Sequence, residues 1–314
     1  MRPRDLAALD FAGVTARVAD FAASPAGRER CLGLLPRADL KFQAFAPGVP
    51  AALAEGEDLF AAVRRRDQLL HHPYESFEPV ERFVEQAAAD PMVLAIKAAL
   101  YRVGADAPIV ASLARAARAG KEVTAVVELR ARFDEERNIG LANLLQDAGA
   151  SVVYGVVGFK THAKLVLVVR REAGKLRRYA HLGTGNYHHA NAKAYSDLGL
   201  FTAERVLCED VHHFFQQLTG LGKAPRMRKL LQAPMTLYPR LIELIGAEAA
   251  NARSGAPARI VAKMNSLSDL GIIQALYQAS QAGVHIELIV RGICRLRPGM
   301  AGVSENIRVR SLVG

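Results

Sequence analysis

The sequence predicts an α/β fold: a mixed sheet with helices on both faces, formed by two units of which the second is incomplete, and preceded by a helical N-terminal arm. Two patterns lead there. From Pro91 onward, valine-rich runs of strand length alternate with helical stretches closed by glycine. The order of these elements then recurs further along the chain.

Residues 5–22 carry Leu6, Leu9, Val14, Val18 and Phe21 at near-helical spacing, which predicts an amphipathic helix broken by Pro25 and Gly27. Pro36 to Pro50, rich in proline and alanine, reads as an irregular connector. A short helix is expected over Glu57 to Leu70, and another over Phe77 to Ala89 with Ser76 as cap and Pro79 in its first turn. Met92 to Leu100 predicts a buried strand, and Pro108 to Ala119 a helix ended by Gly120. Glu122 to Leu129 predicts a strand, Asp134 to Asp147 a helix ended by Gly149, and Ser151 to Val157 a strand. Ala163 to Arg171 and Leu176 to Leu182 predict two strands joined by a turn at Gly174. The expected limits are 1–48 for the arm and connector, 49–229 for the first unit and 230–314 for the second.

The recurrence rests on named positions. Ala119, Gly120, Val123, Ala125 and Val127 match Ala282, Gly283, Ile286, Leu288 and Val290 at a constant offset. A strand with a central lysine precedes each, Lys97 in the first copy and Lys263 in the second. Val153 and Gly158 match Val309 and Gly314 at a slightly smaller offset. His162 stands just beyond Gly158, so an equivalent histidine would fall just past Gly314, and a site needing one histidine from each copy is expected to be half-built here.

At 314 residues, 51% hydrophobic and 23% charged, the chain has enough material for two ordinary cores. Its net charge of +10 and pI near 9.7 point to an anionic partner. With no Trp and few aromatics for base stacking, specific nucleic-acid binding is disfavoured, which leaves nucleotide, polyphosphate or an anionic membrane surface touched peripherally. Cys31, Cys208 and Cys294 are far apart and form no CxxC pair, so a disulfide framework and a thiolate zinc site are not expected. With no apolar leader or spanning run, a cytoplasmic location is expected. The adjacent histidines His71 and His72, His188 and His189, and His212 and His213 point in different directions within each pair and are not read as chelators.

His162 and Lys164 carry the chemistry. A neutral imidazole nitrogen can attack phosphorus, and a lysine two residues on, sharing its strand face, can hold phosphate oxygens. Gly183, Thr184, Gly185 and Asn186 follow about one hairpin later. The glycines are expected to bring backbone amides close to the same anion, with Asn186 as a further donor, or else to serve only a tight turn.

Several motifs in order now resemble one family: His71 to Phe77, Ala99 to Val103, Ala131 to Glu136, Lys160 to Lys164, His181 to His188 and Arg291 to Gly299 are similar to polyphosphate kinase of the first type, a phospholipase-D-like group. The resemblance runs from about Leu35 to Gly314 and implies two phospholipase-D-like α/β units. It further implies reversible transfer of the ATP γ-phosphate to inorganic polyphosphate through a phosphohistidine at His162. Tyr195 would contact the nucleotide and Arg291 an ATP phosphate. Arg102 and Arg132 would belong to a magnesium-phosphate site; arginine is a poor cation ligand, so they would hold phosphate oxygens while Mg²⁺ binds through phosphates and water. Family members carry N-terminal and head domains and form homo-oligomers; here about 34 residues precede the resembling region.

A cationic groove between the copies would draw on Lys97, Arg102, Arg130, Arg132, Lys160, Lys164, Lys263, Arg291, Arg295 and Arg297. Val169 stands where phospholipase-D-type motifs place an aspartate. Two other readings stay open: a phospholipase-D-like phosphodiesterase using water as acceptor, and a non-catalytic polyanion-binding remnant.

Overall fold

The computed structural model describes residues 46–101, 103, 107–128, 135–155, 160–220 and 226–312. Every element among them falls in the compact unit Pro47–Gly314. The helix expected over 5–22 lies outside the described residues, as do Arg102, Arg130 and Arg132.

Among the described residues the larger sheet has seven strands: β1 (Gln68–His72), β2 (Val93–Leu100), β3 (Glu122–Val127), β4 (Ser151–Val153), β5 (Leu165–Glu172), β6 (Lys175–Gly183) and β7 (Asp197–Thr202). Their order is β1-β7-β6-β5-β2-β3-β4. β2, β3 and β4 run parallel, and the remaining pairings are antiparallel, so the sheet is mixed. Helices α1 (Leu59–Arg65), α2 (Glu78–Ala89), α3 (Pro108–Arg118) and α4 (Glu135–Asp147) join the core on one face; after the short α5 (His189–Ala192), α6 (Arg205–Leu218) covers the other.

Strand alternation explains the two cores. Ile96, Ala98 and Leu100 of β2 face α2 and α3, whereas Ala99, with Leu165 and Leu167 of β5, meets Cys208, Val211 and Phe215 of α6. β2 is therefore buried on both faces, and its sequence reads as a nearly continuous apolar run. Each Leu, Ile or Phe so buried contributes about 1.5–3 kcal/mol before conformational entropy is subtracted.

Local chemistry sets the ends of the elements. α2 starts at Glu78 with Phe77 in the cap position and no side-chain cap bond, so Ser76 is not the cap; its hydroxyl accepts from the Glu78 amide at 3.1 Å, and Pro79 lies in the first turn, as expected. The β5–β6 hairpin turns through Ala173 and Gly174, both at positive φ, which matches the right-handed twist of the strands. The helix expected over Glu57 to Leu70 is shorter. The Asp58 carboxylate caps it by accepting from the Ala61 amide, it ends at Arg65, and Gln68–His72 becomes β1. There Gln68, Leu70 and His72 are buried and Leu69 and His71 exposed, a period of two that the preceding helical pattern had absorbed.

A second sheet has strand order β10-β9-β8 and is wholly parallel: β8 (Arg259–Met264), β9 (His285–Val290) and β10 (Ile307–Arg310). α7 (Leu237–Arg253) and α8 (Leu270–Gln281) pack Ile245, Ala249, Ile273 and Leu276 on Ile286, Leu288 and Val290. On the other face of β8, Val261 is 57% exposed. The Asp210 carboxylate of α6 fastens the chain leading to this unit, accepting from the amides of Arg228, Lys229 and Leu230 at 2.6–3.0 Å.

Register refines the sequence repeat. Lys97 pairs with Thr124, whose counterpart in the second copy is Glu287, but Glu287 pairs with Val261. Lys263 pairs instead with Ile289. The two lysines share a face but stand two residues apart in register, and Lys97 is turned to an ion pair with Glu122 at 3.1 Å.

Candidate functional site

The carboxyl ends of β2, β8 and β9 and the neighbouring ends of β1, β5, β6 and β7 surround a cavity of about 710 Å³. Loops at the carboxyl ends of parallel strands are where α/β sheets place ligands. His162, Lys164, Asn186, Tyr195 and Arg291 all line it, although only His162 and Lys164 share a segment. Arg102 and Arg132 lie outside the described residues.

His162 and Lys164 belong to an extended segment that leads into β5 rather than to the strand itself. The Thr161 amide donates to the buried Glu128 carboxylate at 2.7 Å, and the Asn138 amide donates to the carbonyls of Glu128 and Tyr101 at 2.7 and 3.2 Å. Asn138 thus ties the ends of β2 and β3 together beneath the histidine. Lys164 is buried, with Nζ 3.0 Å from His162 Nδ1 and donating to the His162 carbonyl at 2.6 Å. An ammonium has only protons to give, so the ring nitrogen it meets offers its lone pair.

Tyr101 was not singled out from the sequence, yet it organises this corner. Its ring lies edge-on to His162 with centroids 4.6 Å apart, and Lys164 Nζ and Lys160 Nζ sit 4.8 and 5.5 Å from its centre. Two ammonium groups over one ring are favoured by its negative face.

The glycine turn works differently from the anion-cradle expectation. The amides of Gly183 and Thr184 are committed to the carbonyls of Lys164 and Leu198, both at 2.9 Å. The Thr184 hydroxyl donates to Asp197 at 2.8 Å and accepts from the Leu198 amide. A Cβ at Gly185 would stand 2.4 Å from the Asp197 carboxylate. Glycine is required there because β7 passes so close.

On the opposite wall, the Arg291 guanidinium lies 5.1 Å from the centre of the Tyr195 ring. Lys263 reaches across from β8 and donates to Ser196 Oγ at 2.6 Å, and His71 approaches the same hydroxyl at 3.4 Å. Of the described cations expected in a groove, Lys164, Lys263 and Arg291 line the cavity. Lys160 lines an adjoining apolar cavity of about 500 Å³ that shares His162 and Lys164 and is walled by Phe214, Leu218 and Leu230. Lys97, Arg295 and Arg297 line neither. His71, Ser196 and Asp197 entered the site unannounced by spacing, because only the folding of β1 onto β7 brings them together.

Residues 58–224 match the family model Polyphosphate kinase C-terminal domain 1, and residues 230–314 match Polyphosphate kinase C-terminal domain 2. The chain is 60% identical over 282 residues to a polyphosphate kinase of Pseudomonas aeruginosa, covering 90% of this chain and 41% of the relative. It is 58% identical over 285 residues to one of Burkholderia vietnamiensis, covering 90% and 42%. The crystal structure of polyphosphate kinase from Porphyromonas gingivalis superposes with a TM-score of 0.80 at 38% identity, over 90% of this chain and 47% of that one. The chain spans about two fifths of the length of these curated relatives.

Proposed function

The chain belongs to the polyphosphate kinase family, and from that premise we propose that its cleft binds ATP and inorganic polyphosphate and moves the γ-phosphoryl group between them through a phosphohistidine at His162. The observation that carries this reading is the convergence of His162, Lys164, Asn186, Tyr195 and Arg291, from both α/β units, on one cavity. An imidazole nitrogen attacks the γ-phosphorus, a nitrogen–phosphorus bond forms, and ADP leaves as the bond to the bridging oxygen breaks. A terminal oxygen of polyphosphate then attacks the same phosphorus and frees the imidazole. Lys164, Lys263 and Arg291 offset the negative charge, Asn186 donates to a phosphate oxygen, and Tyr195 faces the nucleotide.

Mg²⁺ enters this scheme as a companion of the nucleotide. Among the described residues no three His, Cys, Asp or Glu side chains are grouped to hold a metal, and the one carboxylate lining the cavity, Asp197, already accepts from Thr184. Such residues do not form a resident cage, and the ion's ligands are assigned to phosphate oxygens and water. Arg102 and Arg132 are assigned to the phosphates beside it. The unit limits 49–229 and 230–314, a cytoplasmic location and homo-oligomer formation belong to the same proposal. No helix among the described residues is long and apolar enough to cross a membrane.

ATP labelled at its γ-phosphate tests the assignment. The chain is expected to acquire acid-labile, base-stable label, and His162→Gln to acquire none. Hydrolysis of diesters without labelling would favour the phosphodiesterase reading instead, and neither activity would leave polyanion binding alone.

A further inference from the structure

Behind the cleft lies a small cavity of about 10 Å³, lined among others by His72 of β1, His181 of β6, Gly199 of β7 and Asn186. That is room for about one water molecule. Three buried polar atoms of its lining residues have no hydrogen-bond partner: Nε2 of His72, Nε2 of His181 and Oδ1 of Asn186. A Cβ on Gly199 would stand 2.8 Å from the His181 nitrogen and 3.4 Å from the His72 nitrogen, so the two rings converge on one spot. Their outer nitrogens are already engaged. His72 Nδ1 meets the Glu75 carbonyl at 2.8 Å and must donate to it; His181 Nδ1 meets the Tyr187 hydroxyl at 2.9 Å.

We propose that one ordered water molecule bridges His72 Nε2, His181 Nε2 and Asn186 Oδ1, and that the two histidines are positioning residues for Asn186. With Tyr187 as the donor to His181 and the Asn186 oxygen facing the water, the hydrogen bonds balance. Because His72 spends its proton on Glu75, its Nε2 is a bare acceptor and takes one water proton. Tyr187 donates to His181 Nδ1, so His181 carries its proton on Nε2 and gives it to the water oxygen. The second water proton goes to Asn186 Oδ1.

Each of the three buried atoms is then satisfied, as buried polar groups require. The water locks the Asn186 amide with its oxygen inward, which directs the NH₂ group to the large cavity that Asn186 also lines. This consequence rests on the reading of that cavity as a phosphate site. A divalent cation fits less well, since it would bring buried charge to two neutral rings and an amide. Burial, followed by the neighbouring His72, holds the His181 pKa down to about 3, in keeping with a neutral ring.

A high-resolution crystal structure of the full chain, with an anomalous scan, and ¹⁵N-histidine NMR near neutral pH test the water directly. The expected result is a single oxygen peak within hydrogen-bond distance of all three atoms, His72 protonated on Nδ1 and His181 on Nε2. A dry cavity, an anomalous metal peak, or His181 protonated on Nδ1 would overturn it.

Gly199→Ala adds a functional arm that keeps all three polar side chains in place chemically while setting a methyl group against the two ring nitrogens, and the backbone at Gly199 has no positive φ that demands glycine. By filling the water position it should weaken binding of inorganic tripolyphosphate about tenfold, the scale of one hydrogen bond to a charged group. Asn186→Ala should do the same, and the double variant should lose no more; a Gly199→Ala chain that binds like wild type would overturn the positioning role. Failure of the wild-type chain to bind tripolyphosphate would count against the cleft reading, with the crystal and the NMR spectrum still deciding on the water. They decide it equally should Gly199→Ala not fold.

Discussion

His181 is fully enclosed by Tyr187, Phe201 and Gly199, and its pKa of about 3 gives the native protein a measurable pH signature. An exposed histidine in the unfolded chain titrates near 6.5, so between about pH 6.5 and pH 3 the unfolded state binds a proton that the native state refuses. Stability therefore falls as pH drops through that window, by about 1.4 kcal/mol per pH unit from this residue. Urea unfolding at pH 7.5, 6.0 and 5.0 is expected to show that slope, and His181→Gln to reduce it by one proton's worth. A slope unchanged in the variant would mean that the ring is protonated in the folded chain. At this scale the sequence singled out His162, Lys164 and Asn186, which all line the cavity, because their chemistry is concentrated in short motifs. Tyr195 and Arg291 followed only from resemblance, and Tyr101, Ser196 and Asp197 went unrecognised because their roles arise from rings and hydroxyls brought together by the fold.

Among the elements, β2, β3 and β5 were legible because burial on both faces leaves apolar runs, whereas the more exposed β4 and β6 were placed by the glycines that precede them, Gly149 and Gly174. β1 was not: it is a five-residue strand following three arginines, and its alternation is too short to outweigh the helical pattern before it. α6 matters most for joining elements, through Asp210. Burial opposes the charge on this carboxylate, but the amides of Leu230, Lys229 and Arg228 hold its pKa below the usual carboxylate range. Asp210→Ala leaves three amides without their acceptor and should cost about 3 kcal/mol, loosening the wall formed by Leu230 and Phe214 beside His162. Equilibrium unfolding of the variant checks the value; a loss below about 0.5 kcal/mol, the size of an ordinary surface change, would show that the amides find water as good a partner.

For the whole molecule, the cleft exists only because strand ends of both sheets meet across it, so its charge has two sources. Arg291 belongs to the second unit and is stacked on Tyr195 of the first. Replacing it with alanine should weaken tripolyphosphate binding about tenfold or more and flatten its dependence on salt, while the urea midpoint stays within error, because exposed charges near an anion act over a Debye length of about 10 Å at 0.1 M salt. Calorimetric titrations at two salt concentrations would reveal a parallel drop instead if the guanidinium served only as a packing surface. The duplicated plan conceals a handed division of labour. Two residues of register carry Lys263 about 6.6 Å further along its strand than Lys97 stands along its own. One ammonium thereby reaches Ser196, while the other stops at Glu122. Exchanging the two segments would therefore set the ammonium two residues short of Ser196, so halves that match in their strand pattern are not interchangeable at the cavity.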